Sequence, residues 1–268
     1  MMRYRALLLV GLVTCAVGCA RMRVNRDAIY HVSTIHALVE GIFDGEVTFG
    51  ELKRHGDIGL GAVGPVDGEL VLLDGTCYQV KADGTVHLVE ADQVTPYAIV
   101  TPFEADHNLA VYVPKGNEEV DFEQLKTILD KELGNPNLPY AFRIEGDFSY
   151  VKTRSVPRQS KPYPRLIEVI KNQPEFEFRD VSGVIVGFRL PPYLDSLAVP
   201  GYHFHFLTAD HRGGGHLLAF RAKQLLVRAD LASEVHVVLP RSEAFSKVDL
   251  TKRNQDELDR IMGRTKPK

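Results

Sequence analysis

The chain has 268 residues, of which 44% carry hydrophobic side chains, and its formal net charge is −3. This length and composition allow a substantial hydrophobic core and place the chain among globular proteins. Charges of both signs are spread along the sequence, which argues against the basic surface of a nucleic-acid-binding protein. We therefore expect a small molecule or another protein as the partner.

The N terminus has the layout of a bacterial export signal. Arg3 and Arg5 precede an apolar run over residues 6–17, which is too short for an ordinary membrane-spanning helix. The small residues before Cys19 resemble a lipobox, in which the cysteine becomes the acylated first residue of a mature lipoprotein. The sequence thus predicts a periplasmic or extracellular protein that meets a membrane only through a lipid anchor at Cys19, with plain secretion as the alternative. Acylation would leave Cys77 as the remaining cysteine, without an internal disulfide.

The N-terminal half mixes helical and strand patterns. The segment IHALVEGIFDG has a short helical period, and VTFGELKRHGDIGLGAVGPVDG is punctuated by Gly and Pro that mark turns. In ELVLLDGTCYQVKADGTVHLVE, two Asp-Gly pairs divide three apolar runs, which predicts a β-meander. DFEQLKTILDKEL predicts an amphipathic helix, and prolines follow it.

The C-terminal half consists mainly of predicted strands. They are interrupted by a short helix in KPYPRLIEVIKNQPEF. We expect an α+β fold with mixed β-sheets in two subdomains and a few flanking helices. The expected division is a signal peptide at 1–19, a β-rich subdomain at 20–135 and a β-rich metal-binding subdomain at 136–268.

The stretch GYHFHFLTADHRGGGH contains four of the ten histidines. In an extended strand, three aromatic residues occupy one face, while His203 and His205 occupy the other. A reversal centred between Asp210 and His211 would place His216 opposite His205 on the returning strand. Three imidazoles with an open fourth position are typical of catalytic zinc. A solvated polar strand face is the alternative, and His211 is expected at the rim.

Four motifs occur in an order that resembles one family. DGELVLLDGTCYQV, TPFEAD, FRIEGDFSYVKTRSVPRQSKPYP and GYHFHFLTADHRGGGH together closely resemble the bacterial α-acetolactate decarboxylases. The resemblance extends from Val32 to Leu250, and the implied family domain covers about residues 32–265.

This resemblance implies a metal site and a substrate-facing arginine. His203, His205 and His216 match the family's ligands for zinc, although the sequence leaves iron or manganese open. Glu69 matches a glutamate that contributes to the metal site directly or through water, and Arg154 matches the arginine that faces the substrate.

The family's C-terminal glutamate has no direct counterpart. Met262 aligns near that position, and Glu257 and Asp259 are the nearest acids. We therefore take Glu257 as the candidate tail acid, while the departure at Met262 leaves the contribution of the tail open.

The implied function is zinc-dependent decarboxylation of (S)-2-acetolactate to acetoin and carbon dioxide. The alternative is a catalytically silent surface protein that binds a metal or a small hydroxy-keto acid, and a zinc hydrolase using Glu69 as base is a third hypothesis. The expected partner is a small-molecule substrate, and a homodimer remains open.

Overall fold

The computed structural model describes residues 25–112, 119–251 and 255–263. The predicted export signal and Cys19 lie outside these residues. Within them, no helix is long and apolar enough to cross a membrane. The strands are β1 (Ala28–Val32), β2 (Val47–Thr48), β3 (Ile58–Ala62), β4 (Glu69–Leu73), β5 (Thr76–Val80), β6 (Val86–Leu88), β7 (Val94–Thr95), β8 (Tyr97–Thr101), β9 (His107–Tyr112), β10 (Val120–Asp121), β11 (Tyr140–Arg154), β12 (Glu175–Leu190), β13 (Gly201–Thr208), β14 (Gly214–Leu231) and β15 (Glu234–Val238). The helices are α1 (Ile35–Val39), α2 (Phe49–Leu52), α3 (Phe122–Leu133), α4 (Leu166–Val169), α5 (Glu243–Lys247) and α6 (Gln255–Ile261).

The first sheet has the strand order β15-β1-β8-β3-β4-β5-β6. Strands β4, β5 and β6 form the predicted antiparallel meander. Asp74 and Gly75 turn the chain between the first two strands with φ values of 50° and 73°. This left-handed geometry matches the twist of a two-residue hairpin, which is why an Asp-Gly pair predicts it.

Strand β3 lies in the segment whose glycines predicted only turns. Gly59 belongs to this buried strand, and a Cβ built there would lie 2.3 Å from the carbonyl oxygen of Ile99 on β8. The glycine is therefore required because two backbones approach closely, and not because the chain reverses.

The second sheet closes into a ring. Strand β11 pairs antiparallel with β12 and β14, and β13 pairs with both β12 and the first residues of β14. Strands β9 and β10 pair with later parts of β14. The aromatic face of β13 contributes Phe204 and Phe206 to the core inside this sheet, as its alternating pattern predicts.

Helix α3 covers this second core. Asp121 accepts a hydrogen bond from the Gln124 backbone N–H, and the Gln124 side chain accepts one from the Asp121 N–H, each at 2.9 Å. This capping box fixes the first turn. The predicted apolar stripe is buried at Leu125, Leu129 and Leu133.

The two sheets share a small apolar core. Val71 and Leu73 of β4 lie in one hydrophobic cluster with Val186 of β12 and Leu207 of β13. The expected division at residue 135 stays a prediction. The pairing pattern crosses it, because β9, β10 and α3 lie with the second sheet while β15 lies beside β1 in the first.

Candidate metal centre

The hairpin β13–β14 brings the three histidines of the glycine-rich stretch together. His205 pairs with His216 across the two strands, which is the register expected from the sequence. His203 lies two residues before His205 and projects from the same face. Gly215 permits the hairpin to approach β11, because its φ is +127° and an added Cβ would lie 2.4 Å from the Arg154 carbonyl oxygen.

The three imidazoles are buried and adjacent. Their ring centroids are 5.2 Å apart for His203 and His205, 5.0 Å for His203 and His216, and 5.3 Å for His205 and His216. One nitrogen from each ring lies within 4.8 Å of the other two. This is a group of side chains that could hold a metal ion.

His205 is prepared as a ligand by its hydrogen bond. Its Nδ1 lies 2.7 Å from the Leu70 carbonyl oxygen, and because a carbonyl only accepts, Nδ1 carries the hydrogen. The lone pair is then on Nε2, which is buried and has no hydrogen-bond partner among the described residues. Burial also lowers the pKa of His205 to about 4, so the ring is neutral at pH 7.

These residues fit a divalent metal. Tetrahedral zinc with Zn–N bonds of about 2.0–2.1 Å separates its nitrogen ligands by roughly 3.3 Å. His203 Nε2 and His216 Nδ1 are 3.3 Å apart. A buried Nε2 that accepts no hydrogen bond from the described residues is unfavourable, and a cation at this point would satisfy it.

Glu69 lies beside the histidines at the first position of β4. Its Oε2 is 3.5 Å from His205 Nε2. Burial raises the pKa of Glu69 to about 7, while the nearby positive charge of Arg154 opposes this shift. The carboxyl group is therefore close enough to contact a metal ion, or a ligand of that ion, held by the imidazoles.

Arg154 ends β11 and pairs with His216 in the β11–β14 ladder. Its side chain is buried, and burial lowers the pKa of the guanidinium whereas Glu69 opposes that change. One terminal nitrogen donates a hydrogen bond to the Ile261 carbonyl oxygen. The Nε of Arg154 has no hydrogen-bond partner in the part of the chain that the structure describes, so it remains available for an anion.

Known proteins that are similar to this chain share one name. The sequence profile described as alpha-acetolactate decarboxylase matches residues 29–252. A protein of that name from Methanosarcina mazei is 41% identical over 88% of this chain and 80% of its own length. The Methylococcus capsulatus protein of the same name is 42% identical over 85% of this chain and 86% of its own length.

A solved structure shows the same fold. The crystal structure of alpha-acetolactate decarboxylase from Bacillus subtilis strain 168 superposes with a TM-score of 0.84 and 32% identity, covering 89% of this chain and 100% of that one. The chain belongs to the alpha-acetolactate decarboxylase family. The resemblance seen in the sequence is thereby confirmed, together with the α+β fold and the enzyme class, a carboxy-lyase.

In this member of the alpha-acetolactate decarboxylase family, the histidines open onto a narrow cavity. The volume of this cavity is about 60 Å³. Its polar end consists of the three histidines, Glu69 and Arg154. Apolar side chains also line this cavity, among them those of Val66, Val156, Ile261 and Met262. The cavity therefore combines charged residues and possible metal ligands with apolar side chains that could contact alkyl groups.

The acidic side chain expected from the C-terminal tail does not join the three histidines. Glu257 is buried on α6, and its carboxylate lies 3.1 Å from Arg165, outside the group of convergent imidazole nitrogens. Met262 lines the cavity with its apolar side chain. His211 occupies the exposed turn of the hairpin, with its ring 4.7 Å from that of Tyr78.

Sequence reasoning did not find two other residues near this centre. Tyr97, from β8, lines the cavity, and Ile261 supplies the carbonyl that binds Arg154. Neither is marked by a motif, because a tyrosine in a strand and an isoleucine in a helix are ordinary core residues. Their positions depend on contacts between segments that are far apart in the sequence.

Proposed function

We propose that this chain catalyses the zinc-dependent decarboxylation of (S)-2-acetolactate to acetoin and carbon dioxide. The observation that supports it most directly is the convergence of three buried imidazoles with Glu69 and Arg154 on one cavity. The names of the relatives support the substrate, and the all-nitrogen ligand set supports zinc.

His203, His205 and His216 would hold the ion. An ion held there would act as a Lewis acid and would polarise the ketone oxygen of the substrate. Iron or manganese at the same residues would be the alternative. The neutral state of His205 at pH 7 favours binding, since an imidazole must be deprotonated to act as a ligand.

Arg154 would bind the carboxylate of the substrate. Acetolactate carries this carboxylate on a carbon that also bears a hydroxyl group and lies next to a ketone. The carbon–carbon bond to the carboxylate breaks, carbon dioxide leaves, and the electron pair moves onto the ketone oxygen, giving an enediolate. Arg154 lines the cavity, and its Nε, which has no hydrogen-bond partner among the described residues, would serve as a charge-assisted donor.

Glu69 would return a proton to the carbon that lost carbon dioxide. Arginine keeps its proton in proteins and is therefore a poor acid. A carboxyl group exchanges protons readily, and that of Glu69 lies beside the imidazoles. Delivery from one side of the enediolate would give a single enantiomer of acetoin. Glu69 then recovers its proton from water, so the turnover consumes one proton in total.

The apolar wall would exclude water from the reacting atoms. Val66 and Val156 line the same cavity as the charged residues. A site shielded from water strengthens the interaction between Arg154 and the developing negative charge. The same wall offers a surface for the methyl groups of the substrate.

The test compares two histidines of the same hairpin. Zinc content per chain and acetoin formation are measured for the wild type, His205→Asn and His211→Asn. His211→Asn is the matched control because it lies in the exposed turn at a φ of 57°, a conformation that asparagine tolerates. We expect zinc and activity in the wild type and the control, and loss of both in His205→Asn. Zinc without acetoin would favour the silent binding protein.

We also propose that the chain is exported and anchored through an acylated Cys19. The support is the sequence alone, namely two arginines, an apolar run and small residues before the cysteine. The mass of the protein recovered from a bacterial membrane fraction tests this. A mature chain beginning at Cys19 with added acyl groups is expected, and a Cys19→Ala variant should leave the membrane fraction.

A further inference from the structure

Helix α6 forms one side of the cavity. Ile261 and Met262, at its C-terminal end, line the space next to the three histidines. Leu258 and Ile261 are buried in the hydrophobic core that also contains residues of α1 and α4. This short helix therefore covers the metal-competent end of the cavity from the side of the C terminus.

Two arginines form hydrogen bonds with α6. From within the cavity, Arg154 donates a hydrogen bond to the Ile261 carbonyl oxygen. From outside, a terminal nitrogen of Arg165 lies 3.1 Å from the Glu257 carboxylate. Arg165 is itself fixed by Glu40 after α1, through two hydrogen bonds of 3.0 and 2.6 Å. We refer to Glu40, Arg165 and Glu257 as the latch.

The latch acts on a helix that cannot stand alone. Helix α6 has seven residues, and helices shorter than about 12 residues are marginal without tertiary contacts. The Glu257 side chain is only 5% exposed, and Arg165 places a positive charge 3.1 Å from its carboxylate. Loss of Arg165 would therefore favour a state in which α6 leaves the cavity.

The position of α6 controls Arg154. The Ile261 carbonyl accepts from one end of the guanidinium and so fixes its plane, while Nε stays without a partner among the described residues. If α6 moves away, Arg154 loses this support and the cavity opens to water. A chain of contacts thus leads from the surface at Arg165, through Glu257 and Ile261, to Arg154.

We propose that Arg165 is a positioning residue that keeps α6 closed over the cavity and thereby orients Arg154 for the carboxylate of the substrate. This inference rests on the proposed function, since it assigns Arg165 a role in that reaction. If only the closed form binds substrate, the apparent affinity falls in proportion to the closed fraction. At saturation, substrate binding restores closure, so the maximal rate is retained.

The first experiment separates KM from kcat. Arg165→Met keeps the apolar stem and removes the charge, Arg165→Lys restores a charge, and Lys171→Met is the matched control. Lys171 is a nearby exposed cation that pairs with Glu168 and not with α6. If about one tenth of the Arg165→Met molecules are closed, KM for acetolactate should rise about tenfold. We expect kcat to change less than about threefold.

The other variants complete this comparison. Arg165→Lys should recover part of the affinity, and Lys171→Met should behave as wild type. Glu257→Gln should raise KM as Arg165→Met does, and the double variant should be no worse than either single one. An unchanged KM in Arg165→Met would overturn the inference. If kcat falls while KM stays the same, the substitution has only reduced the amount of folded protein, and the inference is likewise overturned.

Hydrogen exchange provides a readout that needs no activity. The Met262 amide donates to the Leu258 carbonyl oxygen at 2.9 Å and reports on the closed helix, whereas the Phe206 amide in β13 reports on the sheet. We expect the Met262 amide of Arg165→Met to exchange at least tenfold faster, with Phe206 unchanged. Equal exchange at Met262 would overturn the latch. A wild type that releases no acetoin would instead overturn the proposed function, and with it the role of Arg165 in that reaction.

Discussion

Replacing Asp230 with asparagine is expected to stabilise the protein at alkaline pH. Asp230 lies on β14, is 4% exposed, and accepts a hydrogen bond from the Glu104 backbone N–H at 3.0 Å. Burial, together with the negative charges of Asp106, Asp27 and Glu104, raises its pKa from 3.8 to about 7. The folded state therefore holds a proton that the unfolded chain releases near its ordinary pKa.

The sign and size of the effect follow from this difference. Between the unfolded and folded pKa values the native state binds more protons, so stability falls as pH rises through this window and is constant above about pH 7. Each pH unit corresponds to about 1.4 kcal/mol. Only the interval from pH 5.5 to about pH 7 contributes to the loss. Between pH 5.5 and 8.5, the free energy of unfolding of the wild type should therefore fall by about 2 kcal/mol relative to that of Asp230→Asn.

The assay is urea unfolding of the metal-free protein at both pH values. Asparagine keeps the side-chain oxygen that accepts from Glu104 but cannot ionise. Asp92→Asn, at an exposed loop position, is the control and should show the same difference from wild type at both pH values. If the advantage of Asp230→Asn is equal at pH 5.5 and 8.5, the raised pKa is not a property of the folded protein.

Three further predictions concern the metal centre. In steady-state acetoin assays, Glu69→Gln should lower kcat at least about a hundredfold and leave KM within a few-fold of the wild-type value, because the amide cannot supply a proton. A kcat equal to that of the wild type would exclude Glu69 as the proton donor. Gly215→Ala should lower the free energy of unfolding by about 1–3 kcal/mol in urea titrations, since its Cβ would meet the Arg154 carbonyl oxygen at 2.4 Å, and an unchanged midpoint would contradict this packing. Zinc at about 1,000 times its dissociation constant should raise the free energy of unfolding of the wild type by about 4 kcal/mol. Thermal unfolding with and without chelator measures this increase, which His205→Asn should not show.

The histidine hairpin was predictable because strand geometry has a period of two. Alternation of aromatic and imidazole side chains in GYHFHF assigns His203 and His205 to one face before any contact is known. The glycines after His211 permit a tight return, and the strand register then fixes His216 opposite His205. Helix α3 was predictable for a similar reason, since its apolar spacing and its capping residues are all local.

Contacts between distant segments were not predictable from the pattern. The sequence around Gly59 in β3 predicts a turn, because a glycine needed for the close approach of two strands looks the same in sequence as one needed for a reversal. The pairing of Glu257 with Arg165 spans 92 positions in the sequence. No local rule specifies such a partner, and so the function of the tail acid could not be assigned from the sequence.

Acetoin release from racemic acetolactate by the purified chain tests the central claim most directly. The rate is measured for the protein as isolated, after removal of metal with chelator, and after zinc is added back to the stripped protein. The account predicts acetoin formation well above the spontaneous rate, loss of that activity with chelator, and recovery with zinc, with a single enantiomer as product. A rate equal to the spontaneous background in a chain that carries one zinc ion, or full activity in the stripped protein, would contradict it.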